Sequence, residues 1–116
     1  LIDDIRKFNP HIDITFTVSP VRHLANGAHG NQLSKSTLLL AADSIMAQRP
    51  GVCHYFPSYE IMLDQLRDYR FFAADMVHPS DVAVAYVAER FKASCLSDRA
   101  RQACTRCEKV YARLLH

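Results

Sequence analysis

No stretch of this chain stays apolar long enough to cross a membrane. Its apolar runs, such as residues 38–42, fall far short of the ~20 residues that a spanning helix needs. No signal peptide is visible in the opening residues, LIDDIRKF, which set charges among their apolar side chains. Charge of one sign is missing as well: 14 basic residues stand against 12 acidic ones, for a net charge of +2. That balance gives no electrostatic reason to expect nucleic acid or an anionic membrane as partner. Glycine is scarce, with 3 in 116 residues, while 49% of the chain is hydrophobic. The four cysteines, Cys53, Cys95, Cys104 and Cys107, therefore do not read as the framework of a small disulfide scaffold. They favour a reducing compartment, the cytoplasm. No set of ligands has the spacing of a metal site, and nothing calls for a cofactor.

What is present is the pattern of a globular α/β protein. Leu1, Ile5 and Phe8 share a face, so the opening reads as the end of a helix that Asn9-Pro10 stops. Residues 12–18, rich in β-branched side chains, read as a strand that Ser19-Pro20 closes. Asn26-Gly27 and Gly30-Asn31 read as loop breakers. A helix is expected over 32–48, with Leu38, Ala41, Ala42, Ile45 and Met46 inward. Residues 52–56 read as a second strand. The order strand, helix, strand predicts a right-handed βαβ unit with parallel strands.

After it come a short helix over 58–67, with Met62, Leu63 and Leu66 inward, and an ordered loop over 68–79. Ser80 has the chemistry of an N-cap for a helix whose core face is Val84, Val87, Ala88 and Phe91. A last helix starts near Asp98, with Ala100, Ala103, Cys104, Cys107, Tyr111 and Leu114 on one stripe. Two strands cannot make a sheet for so many helices. A three-layer α/β/α fold is implied, with part of its sheet outside this sequence. The Leu start fits the same expectation, that of a piece of a longer protein.

Sites in open parallel sheets form beyond the carboxyl ends of the strands. Ser19, Arg22 and His23 leave one such end; Ser58, Tyr59 and Glu60 leave the other. A third polar loop places Asp75 three residues before His78. A histidine can serve as general base near neutrality, and a carboxylate can fix its tautomer. By spacing alone, the plainer reading is a helix-entry loop whose Asp and His bond the backbone. Ser58 also follows a strand and precedes a helix. The order Ser58, Asp75, His78 is that of an α/β-hydrolase triad, but the glycines of a nucleophile elbow are absent, so it reads as an N-cap. Arg22 and His23 are read either as loop-holding and substrate-orienting residues or as surface polar groups. Arg67 and Arg70, with Asp64 and Asp68, read as loop-fixing ion pairs. Cys104 and Cys107 form a C-x-x-C, but on an apolar helix stripe, so they read as buried structural thiols. His11, His29 and His116 look solvated, and His54 has no partner ligand at a suitable spacing.

The words around Asp75 and His78 say more. The runs FTVSPVRH (16–23), YFPSYEI (55–61), LRDYRF (66–71) and DMVHPS (75–80), with Lys35 and Leu38-Leu39-Leu40 between the first two, resemble the C-terminal blocks of the GSCFA domain family in order and spacing. The resemblance covers about residues 12–91. It assigns 1–93 to that domain and leaves 94–116 as a helix outside it. The family is similar to SGNH/GDSL hydrolases. The resemblance thus implies a flavodoxin-like α/β/α fold and hydrolysis of a small acyl ester, with Asp75 and His78 as triad acid and base. The motif that names the family, with its serine, and the blocks bearing the oxyanion-hole Gly and Asn are absent from this chain. The expected partner is the upstream half of the domain or a second copy. The alternative is a non-catalytic interaction module that has lost its nucleophile.

Overall fold

In a computed structural model, which describes residues 1–115, the β-branched runs do form adjacent strands. His116 lies outside the described residues. β1 (Ile14–Phe16) pairs in parallel with β2 (Cys53–Tyr55), in the register Ile14 to Cys53 and Phe16 to Tyr55. Between them runs α2 (Gly27–Gln48), the crossover that parallel strands require. The expected parallel pairing across a helical crossover is met, with strands shorter than the sequence suggested. A short helix α1 (Ile2–Phe8) precedes β1, and Arg49 at the end of α2 pairs with its Asp3 at 2.8 Å. Ile2 and Ile5 are half-buried, whereas Leu1 and Phe8 are exposed, which corrects the expected inward stripe.

α2 starts five residues earlier than expected. The residues read as breakers form its entry instead. Gly27 has φ +74° and its N–H donates to Leu24 O, closing the turn into the helix. Gly30 lies against Asn26, where a Cβ would come within 2.7 Å of the Asn26 Cβ. The inward side is Asn31, Lys35, Leu39, Ala42, Ile45 and Met46, while Leu38 and Ala41 are exposed. Two polar residues therefore occupy the stripe nearest the strand ends.

After β2, α3 (Ser58–Glu60) widens at once into a π-turn over Ile61–Gln65, where the Leu66 N–H donates to Ile61 O, five residues back. The widening carries Ile61, Met62 and Leu66 inward and leaves Leu63 outward, against expectation. A 3-10 turn (Tyr69–Phe71) follows. α4 (Asp81–Cys95) is capped, as read, by Ser80, whose Oγ accepts from Ala83 N. Phe56, Ile61, Met62, Leu66 and Ala83 form the core, packed by Phe71, Phe72 and Val87. Ala83 is fully buried because α4 crosses close over the π-turn there. The expected face of α4 is corrected in part: Val84 is 54% exposed and Phe91 39% exposed. Both border an apolar hollow of about 340 Å³, which Thr17, Pro20, Phe56 and Pro79 also line.

α5 (Asp98–Leu114) has no buried residue. Cys104 is partly covered and Cys107 is exposed, so the reading of both as buried thiols is corrected; Cys53 alone is buried. The radius of gyration, 16.9 Å, exceeds the about 13 Å of a compact domain near this length, in keeping with faces left uncovered.

Met62 is fully buried and Leu40 is 73% exposed. Met62→Ala should cost about 2–5 kcal/mol and Leu40→Ala no more than about 0.5 kcal/mol in urea unfolding. Equal losses would place the core elsewhere.

Candidate functional site

The loop between the 3-10 turn and α4 is built by Asp75. Its Oδ1 accepts from Val77 N at 2.9 Å and from His78 N at 3.0 Å. These are the bonds of an Asx turn, which a short carboxylate makes to the backbone two and three residues on. The bland reading of the D-x-x-H sequence, backbone bonding by the Asp, is therefore part of the answer. The other oxygen does something else. Asp75 Oδ2 lies 2.6 Å from His78 Nδ1. Both side chains are accessible, 50% for Asp75 and 61% for His78. The backbone N–H groups of His78 and Val77, and then the imidazole, lower the Asp75 pKa to about 2. Nδ1 is thus the nitrogen that holds the proton of the neutral ring, and Nε2 is left as the acceptor. Among the described residues Nε2 makes no hydrogen bond.

The turn requires Met76 to adopt φ +60°, the left-handed region, which costs a side-chain-bearing residue about 1–2 kcal/mol. Neighbouring contacts hold it there. Ala73 N donates to His78 O at 2.8 Å, Met76 N to Ala73 O at 2.9 Å and Ser80 N to Phe71 O at 2.7 Å. Arg22 reaches across from the loop after β1. Its Nη1 donates to Met76 O at 2.9 Å and its backbone N to Val77 O at 3.1 Å. The guanidinium also lies 4.2 Å from the centroid of Phe72 and 5.6 Å from that of Tyr69. Of the two roles considered for Arg22, the geometry supports loop holding.

The loop that carries Arg22 is itself tied down by α2. His23 N donates to Asn31 Oδ1 at 2.8 Å, and Lys35 Nζ donates to Ser19 O at 2.6 Å. Lys35 is buried, and burial lowers its pKa. The His23 ring is exposed and stands outside these contacts. On the other strand end, Ser58 is the first residue of α3 and makes no cap bond, which corrects its reading as an N-cap. Its hydroxyl is buried, 2.8 Å from Val18 O and 2.6 Å from Thr17 Oγ1, which in turn lies 2.7 Å from Phe56 O. The two hydroxyl protons are shared among three contacts that join the ends of β1 and β2. Tyr59 donates to Gln32 at 2.9 Å, and the Tyr55 hydroxyl bonds Glu60. Desolvation and the Glu60 carboxylate push the Tyr55 pKa up.

Ser19, Arg22 and the Asp75–His78 loop thus belong to one connected network. Ser58 joins it only through Thr17 and Val18, and Tyr59 and Glu60 brace α3. Sequence reasoning missed three contributors. Asn31 was legible as a polar residue in register with Lys35 and Ala42 on one helix stripe. Thr17 gave only a strand signal, and nothing about a methionine announces a left-handed backbone. The loop-fixing ion pairs are weaker than expected: Arg70 approaches Asp68 at 3.9 Å, and Arg67 pairs with no acid among the described residues. His54 lies 3.7 Å from Asp13, and the described residues contain no cluster that would hold a metal.

A family model, that of the GSCFA family, matches residues 1–91. The match begins ahead of the blocks noted in the sequence, taking in α1, and ends within α4. No curated protein and no solved structure matches the chain.

The Asp75 carboxyl carbon should titrate with a midpoint of about 2, below its ordinary 3.8. Because the folded-state pKa is depressed, the loop is stabilised by ionisation above the ordinary value and loses that stabilisation as pH falls through about 2. Arg22→Ala should move the midpoint upward, since the turn that supplies the N–H donors loses its brace. NMR of the labelled carboxyl reads both. A wild-type midpoint at the ordinary value would mean that the turn does not form in solution.

Proposed function

The chain belongs to the GSCFA family, and from that premise we propose that it is the histidine-bearing portion of an SGNH-like esterase. The observation that carries the reading is the 2.6 Å contact between Asp75 Oδ2 and His78 Nδ1 on an accessible imidazole. A base whose far nitrogen is held by a carboxylate is the arrangement that serine acyl hydrolysis uses. In this scheme His78 Nε2 takes the proton from a serine hydroxyl as the oxygen attacks the ester carbonyl. Asp75 stabilises the imidazolium that results. The imidazolium then gives the proton to the departing alkoxide, and a water repeats the cycle on the acyl-enzyme.

The serine and the oxyanion donors belong, on this reading, to the upstream half of a flavodoxin-like three-layer domain. Two features support it. The two-stranded sheet leaves both edges unpaired, and the hollow bounded by Val84, Val87 and Phe91 is apolar and lies beside Pro79, the residue after His78. A segment packed in that hollow would lie against the loop that carries His78. The substrate is a small acyl ester. Ser58 is poorly suited to be the nucleophile because its buried hydroxyl serves Val18 and Thr17.

The isolated chain should hydrolyse p-nitrophenyl acetate no faster than free imidazole does. The full-length parent should turn it over. There His78→Ala should lower kcat by several orders of magnitude and Asp75→Asn by somewhat less. An active parent whose kcat survives His78→Ala would remove the base assignment. An inactive parent without a serine block would turn the reading into that of an interaction module. Activity of the isolated chain that Ser58→Ala abolishes would make Ser58 the nucleophile.

A further inference from the structure

The near-neutral total of the chain conceals an uneven distribution. α5 holds Arg99, Arg101, Arg106, Lys109 and Arg113 against Asp98 and Glu108, a net +3, so the rest of the chain carries the remaining −1 of the +2 total. Both acids are already engaged. Asp98 pairs with Arg101, and Glu108 pairs with Lys92 of α4 at 2.6 Å. Arg99, Arg106, Lys109 and Arg113 are exposed and, among the described residues, form no ion pair.

Their spacing gives the helix two sides. Arg99, Arg106 and Arg113 recur every seven residues and so form one row along the helix. Beside that row run Cys107, Val110, Tyr111 and Leu114, and the last three are 56%, 64% and 78% exposed. α5 is tied to α4 by the Lys92–Glu108 pair and by Arg101, which donates to Ala93 O at 3.0 Å; Arg101 and Glu108, seven residues apart, share one side of the helix. Val110, Tyr111 and Leu114 are left exposed by this docking. An apolar face flanked by unpaired cations, on a helix of low overall hydrophobicity, is the form that lies in the interface of an anionic bilayer. The apolar side chains enter the acyl boundary while the arginines reach the headgroups.

We propose that the exposed face of α5, its arginine row with Val110, Tyr111 and Leu114, is a peripheral docking surface for an anionic lipid bilayer. A second copy of the chain is a poorer occupant, because pairing two such helices brings like-charged arginine rows together. The surface lies outside residues 1–91, so it is separate from the family match and from the Asp75–His78 site.

The test is co-sedimentation of the full chain with phosphatidylcholine vesicles, alone or with phosphatidylserine at about one lipid in three. Binding should appear only with phosphatidylserine and should fade as salt rises. Replacing Arg99, Arg106 and Arg113 together by Gln should weaken it roughly 100-fold while far-UV circular dichroism stays unchanged. Tyr111→Asp with Leu114→Asp should abolish it and leave the fold intact. No binding to the anionic vesicles overturns the proposal, as does equal binding to both kinds. So does self-association of the free chain that the Asp pair removes without any vesicle binding, which would assign the face to a second copy.

Discussion

Three donors converge on the carboxylate of Asp75: two backbone N–H groups and the imidazole of His78. That convergence sets both the shape of the loop and the use to which it can be put. One oxygen shapes the turn, and the other orients the ring. Because both bonds come from one side chain, the backbone cannot relax without releasing the histidine. The left-handed Met76 is the strain this imposes, and the Arg22 contact to the Met76 carbonyl helps hold it.

The site is connected to the fold through a short succession of polar ties. α2 grips the loop after β1 through Asn31 and Lys35, and that loop grips the Asp75 turn through Arg22. The strand ends are pinned to each other by Thr17 and Ser58. Beneath the turn, Phe71 and Phe72 pack on the core of Phe56, Met62 and Ala83. Apolar burial places the loop, and hydrogen bonds fix its conformation. Burying Lys35 is unfavourable in itself, and its bond to the Ser19 carbonyl is what compensates it.

Much of this was legible in the residues. The two β-branched runs and their parallel pairing followed from propensity and connection length, the Ser80 cap from hydroxyl chemistry, and the Asp75–His78 pairing from spacing together with the flanking words. The failures share a physical cause. Gly30-Asn31 has intrinsic turn preference, yet tertiary ties at Asn31 and Lys35 extend the helix back through it to Asn26-Gly27, which forms the entry. The inward stripes expected on α4 and α5 came from periodicity, which marks a face as apolar without supplying anything to cover it. Val84, Phe91, Tyr111 and Leu114 are apolar in register and remain exposed. Total charge was uninformative for a related reason: a sum over the chain erases the cationic row of α5.

The central claim is that Asp75 holds His78 with Nδ1 protonated and Nε2 free to accept. Long-range proton–nitrogen NMR of the folded chain, at a pH where the ring is neutral, reads the tautomer directly. His78 should show a protonated Nδ1 and an unprotonated Nε2. Asp75→Asn should remove this preference. A neutral ring protonated at Nε2 in the unmodified chain would contradict it.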